Sequence, residues 1–327
     1  MTELKKTNNT VLIASSSLDK PTWGPVAEEL DKRGYDVIAY EADRVASGTV
    51  PLAVHVGECG MKISYDHRLI DFRDIKAAWR RRPAMFAPDQ LDWATQLRLD
   101  EERNNVQASL WSAVPQKAWF NSQENMRRAE DKLAQLVVAH SVGFKTPQTL
   151  ITNSWKAIEN SLPKDIILKM NFGVLYTAHD IRTLYTTKFA NEPDGLPTGN
   201  NPFPGYWQPY LEKAREWRIT AVGNQTFDAA IYTDPDAKDD WRNPEHDDGV
   251  TYKKERFPAE YQEKCLRFLG RFGLRFGAFD FVEDREGNVT FLECNTNGQY
   301  AWLEDQLGLP ISAAIASELD TIAKANS

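Results

Sequence analysis

The stretch Gly277-Ala278-Phe279-Asp280-Phe281-Val282-Glu283-Asp284-Arg285-Glu286-Gly287-Asn288-Val289-Thr290-Phe291-Leu292-Glu293-Cys294-Asn295 holds two apolar runs around a polar turn. That pattern predicts an antiparallel hairpin. With the turn centred between Glu286 and Gly287, Asp280 lies directly opposite Glu293, and strand alternation puts Asn295 on the same face. Two facing carboxylates on an otherwise apolar hairpin repel each other and are costly to desolvate, so a positive charge belongs between them. Mg²⁺ fits, because two carboxylates and an amide carbonyl are oxygen ligands that leave positions open for phosphate oxygens. The competing reading is a solvated hairpin end with unrelated polar residues, and a single bulge would destroy the register on which the metal reading rests.

Outward from the hairpin, helical spacing covers Pro258 to Phe272 before it and Ile311 to Ala325 after it. Tyr206 to Leu211, Glu216 to Val222 and Thr226 to Ile231 read as strands, the last two turned by Gly223-Asn224. Residues 190 to 206, rich in Pro and Gly, and the charged stretch Thr233 to Asp248 read as long exposed loops. Further upstream, Asn121-Ser122-Gln123-Glu124 caps a single helix that runs through Ala129, Leu133 and Val137 to a stop at Gly143. Pro147 leads into a strand at Thr149 to Thr152, then a helix from Ser154 and a strand Ile166 to Met170. The chain opens as βαβ: strand Thr10 to Ala14, helix Trp23 to Arg33 capped by Gly34, strand Tyr35 to Tyr40. Strands at Met61 to Ser64, Arg68 to Phe72 and Ile75 to Arg80 follow, then a helix from Pro88 to Ala113. The fold class is α/β.

Composition excludes several classes. The balance of 39 basic and 47 acidic residues gives a net charge of −8, and the longest basic run is Arg80-Arg81-Arg82, which argues against a nucleic-acid protein. No apolar stretch is long enough for a membrane span, and the first residues lack the apolar core of an export signal, so a cytoplasmic location is expected. Three scattered cysteines and five histidines form no disulfide framework, CxxC pair or HExxH helix. Neither a P-loop, a GxGxxG turn nor a GxSxG elbow is present.

The set Asp280 … Glu293-x-Asn295 resembles the Mg²⁺ hairpin of the ATP-grasp superfamily. Phe291-Leu292-Glu293-Cys294-Asn295-Thr296-Asn297-Gly298-Gln299-Tyr300-Ala301-Trp302-Leu303-Glu304 is similar to the signature of its members that cross-link ribosomal peptides, the microviridin-type or graspetide synthetases. Ala78-Trp79-Arg80-Arg81-Arg82-Pro83 resembles the family's Trp-x-Arg-Arg-Pro element with one extra Arg. The segments Ala129 to Leu133 and Gly143 to Asn153 resemble its central-domain opening. Gln208-Pro209-Tyr210-Leu211-Glu212-Lys213 with Glu216-Trp217-Arg218 resembles the nucleotide hinge, and Asp240-Trp241-Arg242 a family element beyond it. Cys294, Thr296 and Tyr300 depart from the usual residues without removing a ligand position.

The resemblance implies three lobes: a pre-ATP-grasp domain (1–120), a central domain (121–190) and a C-terminal domain (191–327). It implies ATP and Mg²⁺ as cofactors, with Lys132 and Lys169 on phosphates, residues 209–211 on adenine, and Glu212 or Glu216 on ribose, within a nucleotide-binding set that also includes Gln208 and Lys213. Arg218 would contact the γ-phosphate or acyl phosphate, or else pair with Glu216; Arg242 would meet phosphate or substrate. The implied reaction activates an Asp or Glu side chain of a precursor peptide as an acyl phosphate, which a Thr or Ser hydroxyl or a Lys amine then displaces. The partner is that peptide, leader plus core, with residues 190–206 and the 216–231 hairpin as candidate leader contacts; a homodimer also fits. Rival readings are a ligase for free amino acids or protein-tail glutamates, and a nucleotide-binding regulator without turnover.

Overall fold

A computed structural model of the chain describes residues 9–57, 60–83, 92–169, 174–176, 181–183, 188–189, 200–233 and 249–327. At the N-terminus, β1 (Thr10–Ser15), α1 (Lys20–Lys32), β2 (Asp36–Glu41) and α2 (Ala42–Ala46) precede β3 (Leu52–Gly57), β4 (Gly60–Tyr65), β5 (Arg68–Asp71), β6 (Ile75–Arg80) and α3 (Trp93–Ser112). β1 is buried along its whole length between parallel neighbours in the order β2-β1-β6, as its unbroken apolar run requires. The expected helix therefore starts at Trp93, and the stretch Pro88 to Leu91 lies outside the described residues. β3, an exposed strand added to β4 and β5, is not among the expected elements.

The next region holds α4 (Gln123–Glu130), α5 (Lys132–Ser141), β7 (Leu150–Ser154), α6 (Trp155–Ser161), β8 (Ile166–Lys169), β9 (Val174–Tyr176), β10 (Ile181–Thr183), β11 (Lys188–Phe189) and β12 (Asn200–Pro209). Two expectations are corrected here. The single helix across residues 123–141 is broken at Asp131, whose extended backbone (φ −69°, ψ 115°) ends α4 and whose carboxylate accepts from Ala134 N at 2.7 Å to cap α5. Residues 200–206, read as loop, belong to β12, which pairs with β8 and β7 in the order β11-β8-β12-β7. Pro202 and Pro204 are accommodated because they fall in the register break between Asn200 and Gly205, where no pairing with β7 is needed. This sheet thus extends past residue 190. Residues 190–199 and Met170 lie outside the described residues.

β13 (Arg215–Val222), β14 (Gln225–Thr233), β15 (Val250–Lys253), α7 (Ala259–Phe272), β16 (Phe276–Glu283), β17 (Val289–Asn295), α8 (Ala301–Leu307) and α9 (Ile311–Ala325) complete the chain. The strands form an antiparallel sheet in the order β15-β14-β13-β16-β17. One face shares a core with α9 and with Val11, Ile13, Trp23 and Leu30 of the N-terminal unit. The other packs against α7, α4 and α5 through Phe268, Phe279, Phe291, Met126 and Ala139. The sheet of β7, β8 and β12 has a separate small core of Ile158, Leu162, Ile166 and Trp207. β13 and β14 lie inside the five-stranded sheet, almost wholly buried, so the 216–231 hairpin is not the exposed leader-docking surface expected of it. The loop read at 234–248 lies outside the described residues. Among those described, no helix is long and apolar enough to cross a membrane.

Asn121 ties the chain into this arrangement: its Oδ1 accepts from Arg275 N at 2.8 Å and its Nδ2 donates to Phe276 O at 3.1 Å, at the entry to β16. Asn121→Leu should leave these backbone groups unpaired and lower stability by about 1–3 kcal/mol in urea unfolding. An unchanged midpoint would contradict the assignment.

Candidate active site

β16 and β17 carry the two carboxylates, and Asp280 pairs with Glu293. Phe281, Val282 and Glu283 pair with Phe291, Thr290 and Val289, which centres the turn on Glu286, half a residue earlier than expected. Unbroken, that ladder would set Asp280 opposite Leu292 and turn Glu293 to the other face. A bulge at Leu292 restores Glu293 to Asp280. The bulge expected to destroy the juxtaposition therefore creates it.

Asp280, 8% exposed, faces Arg218 on β13, and Arg218 Nη1 donates to its Oδ1 at 2.6 Å. Arg218 therefore pairs with Asp280, a partner not expected from the sequence, and not with Glu216, which pairs with Lys213. Lys132 Nζ, in the first turn of α5, lies 3.5 Å from Glu293 Oε2. Asn295 Nδ2 sits between the acids, 3.4 Å from Asp280 Oδ2 and 3.2 Å from Glu293 Oε1. Rotation of that amide would turn its Oδ1 to the same point, giving a hard oxygen set suited to Mg²⁺. Cys294, between Glu293 and Asn295, is fully buried; burial pushes its thiol and that of Cys265 well up, so neither supplies a thiolate.

Lys132 and Lys169 line one cavity together with Gln135, Leu136, Tyr206, Gln208, Leu292 and Glu293. Lys169 reaches it from the end of β8, opposite Tyr206. Leu292, the bulged residue, was missed by sequence reasoning because an unbulged strand buries it. Gln208 is buried and donates to Thr149 Oγ1 at 2.9 Å. In the hinge beyond Pro209, Tyr210 N donates to Asp165 O at 2.9 Å, Leu211 is half-buried and Glu212 is exposed. Tyr210 N–H is therefore already committed within the protein. Arg242 lies outside the described residues, and no group of three or more His, Cys, Asp or Glu suited to a metal occurs among the described ones.

Residues 10–127 match the model of the MvdD pre-ATP grasp domain family. The fold matches a RiPP-associated ATP-grasp ligase of Chryseobacterium gregarium, solved with ADP and a leader and core peptide (TM-score 0.80, 24% identity, 96% of this chain and 97% of that one). It also matches macrocyclase MdnB of Microcystis aeruginosa MRC (TM-score 0.77, 26%, 95% and 99%). A third match is ATP-grasp ligase PsnB with a minimal precursor, Mg and ADP (TM-score 0.70, 20%, 99% and 99%). No curated protein sequence matches the chain. Residues 10–127 form an MvdD-type pre-ATP-grasp domain, and the chain as a whole has the ATP-grasp fold.

Within this fold the pre-grasp domain reaches the turn that follows β17 through Arg81. The side chain is 1% exposed; it donates to Asn297 O and, at 2.5 Å, to Gln299 Oε1, and its Nε lies 3.2 Å from Asp19 Oδ2 without hydrogen-bond alignment. Burial pushes its pKa down to about 10 against the pull of Asp19, which leaves it cationic at neutral pH. Arg218 Nη2 donates to Gln299 O at 3.4 Å, so a polar chain runs from Asp19 to Asp280. Arg82, by contrast, is exposed and reaches Asn297 O at 3.1 Å. The inward member of the Arg triplet was not separable by sequence alone; the parity of β6, continued by Arg81 N donating to Ala14 O at 2.8 Å, separates it. Arg81→Met should cost about 3–5 kcal/mol by leaving Asp19 buried without its cation, and Asp19→Asn on that background should recover part of the loss. Strict additivity of the two in denaturant unfolding would contradict the pairing.

Proposed function

We propose that this protein is an ATP-dependent ligase that activates Asp or Glu side chains of a ribosomally made precursor peptide and closes ester or amide rings within it. The observation that carries the reading is the paired Asp280 and Glu293, flanked by Arg218 and Lys132 and joined by one cavity to Lys169. The macrocyclase fold over nearly the whole chain supports the substrate class.

Asp280, Glu293 and Asn295 would hold Mg²⁺, which would supply positive charge to the transferring phosphoryl group. Lys132 and Lys169 would hold phosphates, Gln208 to Lys213 the adenine edge, and Glu212 or Glu216 the ribose. Arg218, and in the proposal Arg242, would stabilise the anionic acyl phosphate. A carboxylate oxygen of the peptide takes the phosphoryl group and ADP departs; a hydroxyl or amine of the same peptide then attacks the acyl carbon and phosphate leaves. The peptide loses one water per ring while ATP becomes ADP and phosphate. No protein nucleophile is needed, in keeping with the burial of Cys265 and Cys294. A single-amino-acid ligase would share the nucleotide site but leave such a peptide unchanged in mass.

Incubation with ATP, Mg²⁺ and the peptide encoded beside the gene should give ADP and product lighter by one or more water masses. ADP formation with no change in peptide mass would overturn the ring-closing reading. Glu293→Gln should lower ADP formation by about 100-fold or more while keeping its unfolding midpoint, since the lost charge acts on the transferring phosphoryl group. Full activity in that variant would reject the metal hairpin.

A further inference from the structure

Among the described residues β17 ends the five-stranded sheet, and no described strand neighbours its outward backbone groups. Phe291 N–H is met by Lys145 O at 2.9 Å. In an unbulged strand the next outward residues would be 293 and 295; the extra Leu292 makes Cys294 the outward one. A single buried side chain meets both its backbone groups: Gln135 Oε1 accepts from Cys294 N at 2.8 Å and Gln135 Nε2 donates to Cys294 O at 3.0 Å. The same Nε2 donates to Ala129 O at 2.6 Å, at the end of α4 where the helix breaks.

The Gln135 amide thus stands in for a residue of an absent strand. It holds the backbone at the position between Glu293 and Asn295, immediately past the bulge. A one-residue slip there would carry Glu293 off the face of Asp280. One turn earlier on α5, Lys132 touches the Glu293 carboxylate, so the first turns of this helix address both the backbone and the side chains of the metal strand.

We propose that Gln135 is a positioning residue for the divalent-cation site: its side-chain amide locks the bulged register of β17 and so holds Glu293 and Asn295 opposite Asp280. The inference rests on the cation reading of that hairpin given above. Its strength comes from the geometry of three hydrogen bonds on one amide, two of them to a residue flanked by the ligands. The helix break at Asp131 gains a purpose from it, since a continuous helix would keep the Ala129 carbonyl within its own ladder.

The test is Mn²⁺ binding in the presence of ADP, followed by loss of the free-ion EPR signal. Binding by the unaltered protein is the expectation of the cation reading, and its failure there would sink that reading whatever Gln135 does. Gln135→Met, close in volume and without hydrogen bonds, should weaken Mn²⁺ binding by about tenfold or more. Gln135→Asn, which keeps the amide but shortens its reach, should weaken it too, and it decides the matter if the Met variant does not fold. Asn121→Leu, a destabilised control remote from the ligands, should bind Mn²⁺ like the unaltered protein. Unaltered binding in the Gln135 variants, or an equal loss in Asn121→Leu, would overturn the proposal.

Discussion

Asp280 and Glu293 face one another on neighbouring strands, and their mutual repulsion in a partly desolvated place has to be offset before this sheet can form around them. The protein meets that demand with two cations and one amide donor. Arg218 comes from the adjoining strand, Lys132 from the first turn of α5, and the Asn295 amide from two residues along. Of these, Lys132 also lines the cavity shared with Lys169, where the proposed reading puts phosphate. In the proposed reading, Lys132 would serve both charge balance and phosphate binding within a chain of net charge −8.

The lobes are arranged around that pair with different degrees of attachment. The N-terminal unit and the five-stranded sheet share one apolar core through α1 and α9, and the polar chain from Asp19 through Arg81 and Gln299 to Arg218 reinforces the junction. Helices α4 and α5 pack on the other face of the same sheet. The sheet of β8 and β12, which carries Lys169 and Gln208, keeps its own small core. Lys169, proposed to meet phosphate, therefore stands on a separately packed unit, while Asp280, Glu293 and Asn295 stand on a frame braced from both sides.

Much of this was legible in the sequence because strand periodicity is strict: β1, β13, β14, β16 and β17 follow their apolar runs, and the pairing of Asp280 with Glu293 came out as expected. It came out through two departures that offset each other, a turn centred on Glu286 and a bulge at Leu292, and neither has a local signature in a run as apolar as Val289 to Leu292. The break at Asp131 was missed because the residues around it keep helical spacing, and only the capping bond to Ala134 shows that α5 starts anew. Residues 200–206 read as loop because Pro and Gly dominate them, whereas pairing on both sides of a register break makes them strand. Arg81 and Gln135 were out of reach for a common reason. Arg81 bonds to Asn297 and Gln299 and Gln135 to Cys294, each more than 150 residues away along the chain, and a buried side chain that bonds to backbone leaves no pattern in composition or spacing.

The central claim is that the Asp280 and Glu293 carboxylates share a divalent cation that carries the nucleotide. Anomalous diffraction from crystals grown with ADP and Mn²⁺ tests it directly. The account predicts a peak between β16 and β17, within about 2–2.6 Å of oxygens from both carboxylates and in reach of the ADP phosphates. A nucleotide bound with its phosphates elsewhere, or a cation peak away from both residues, would contradict it.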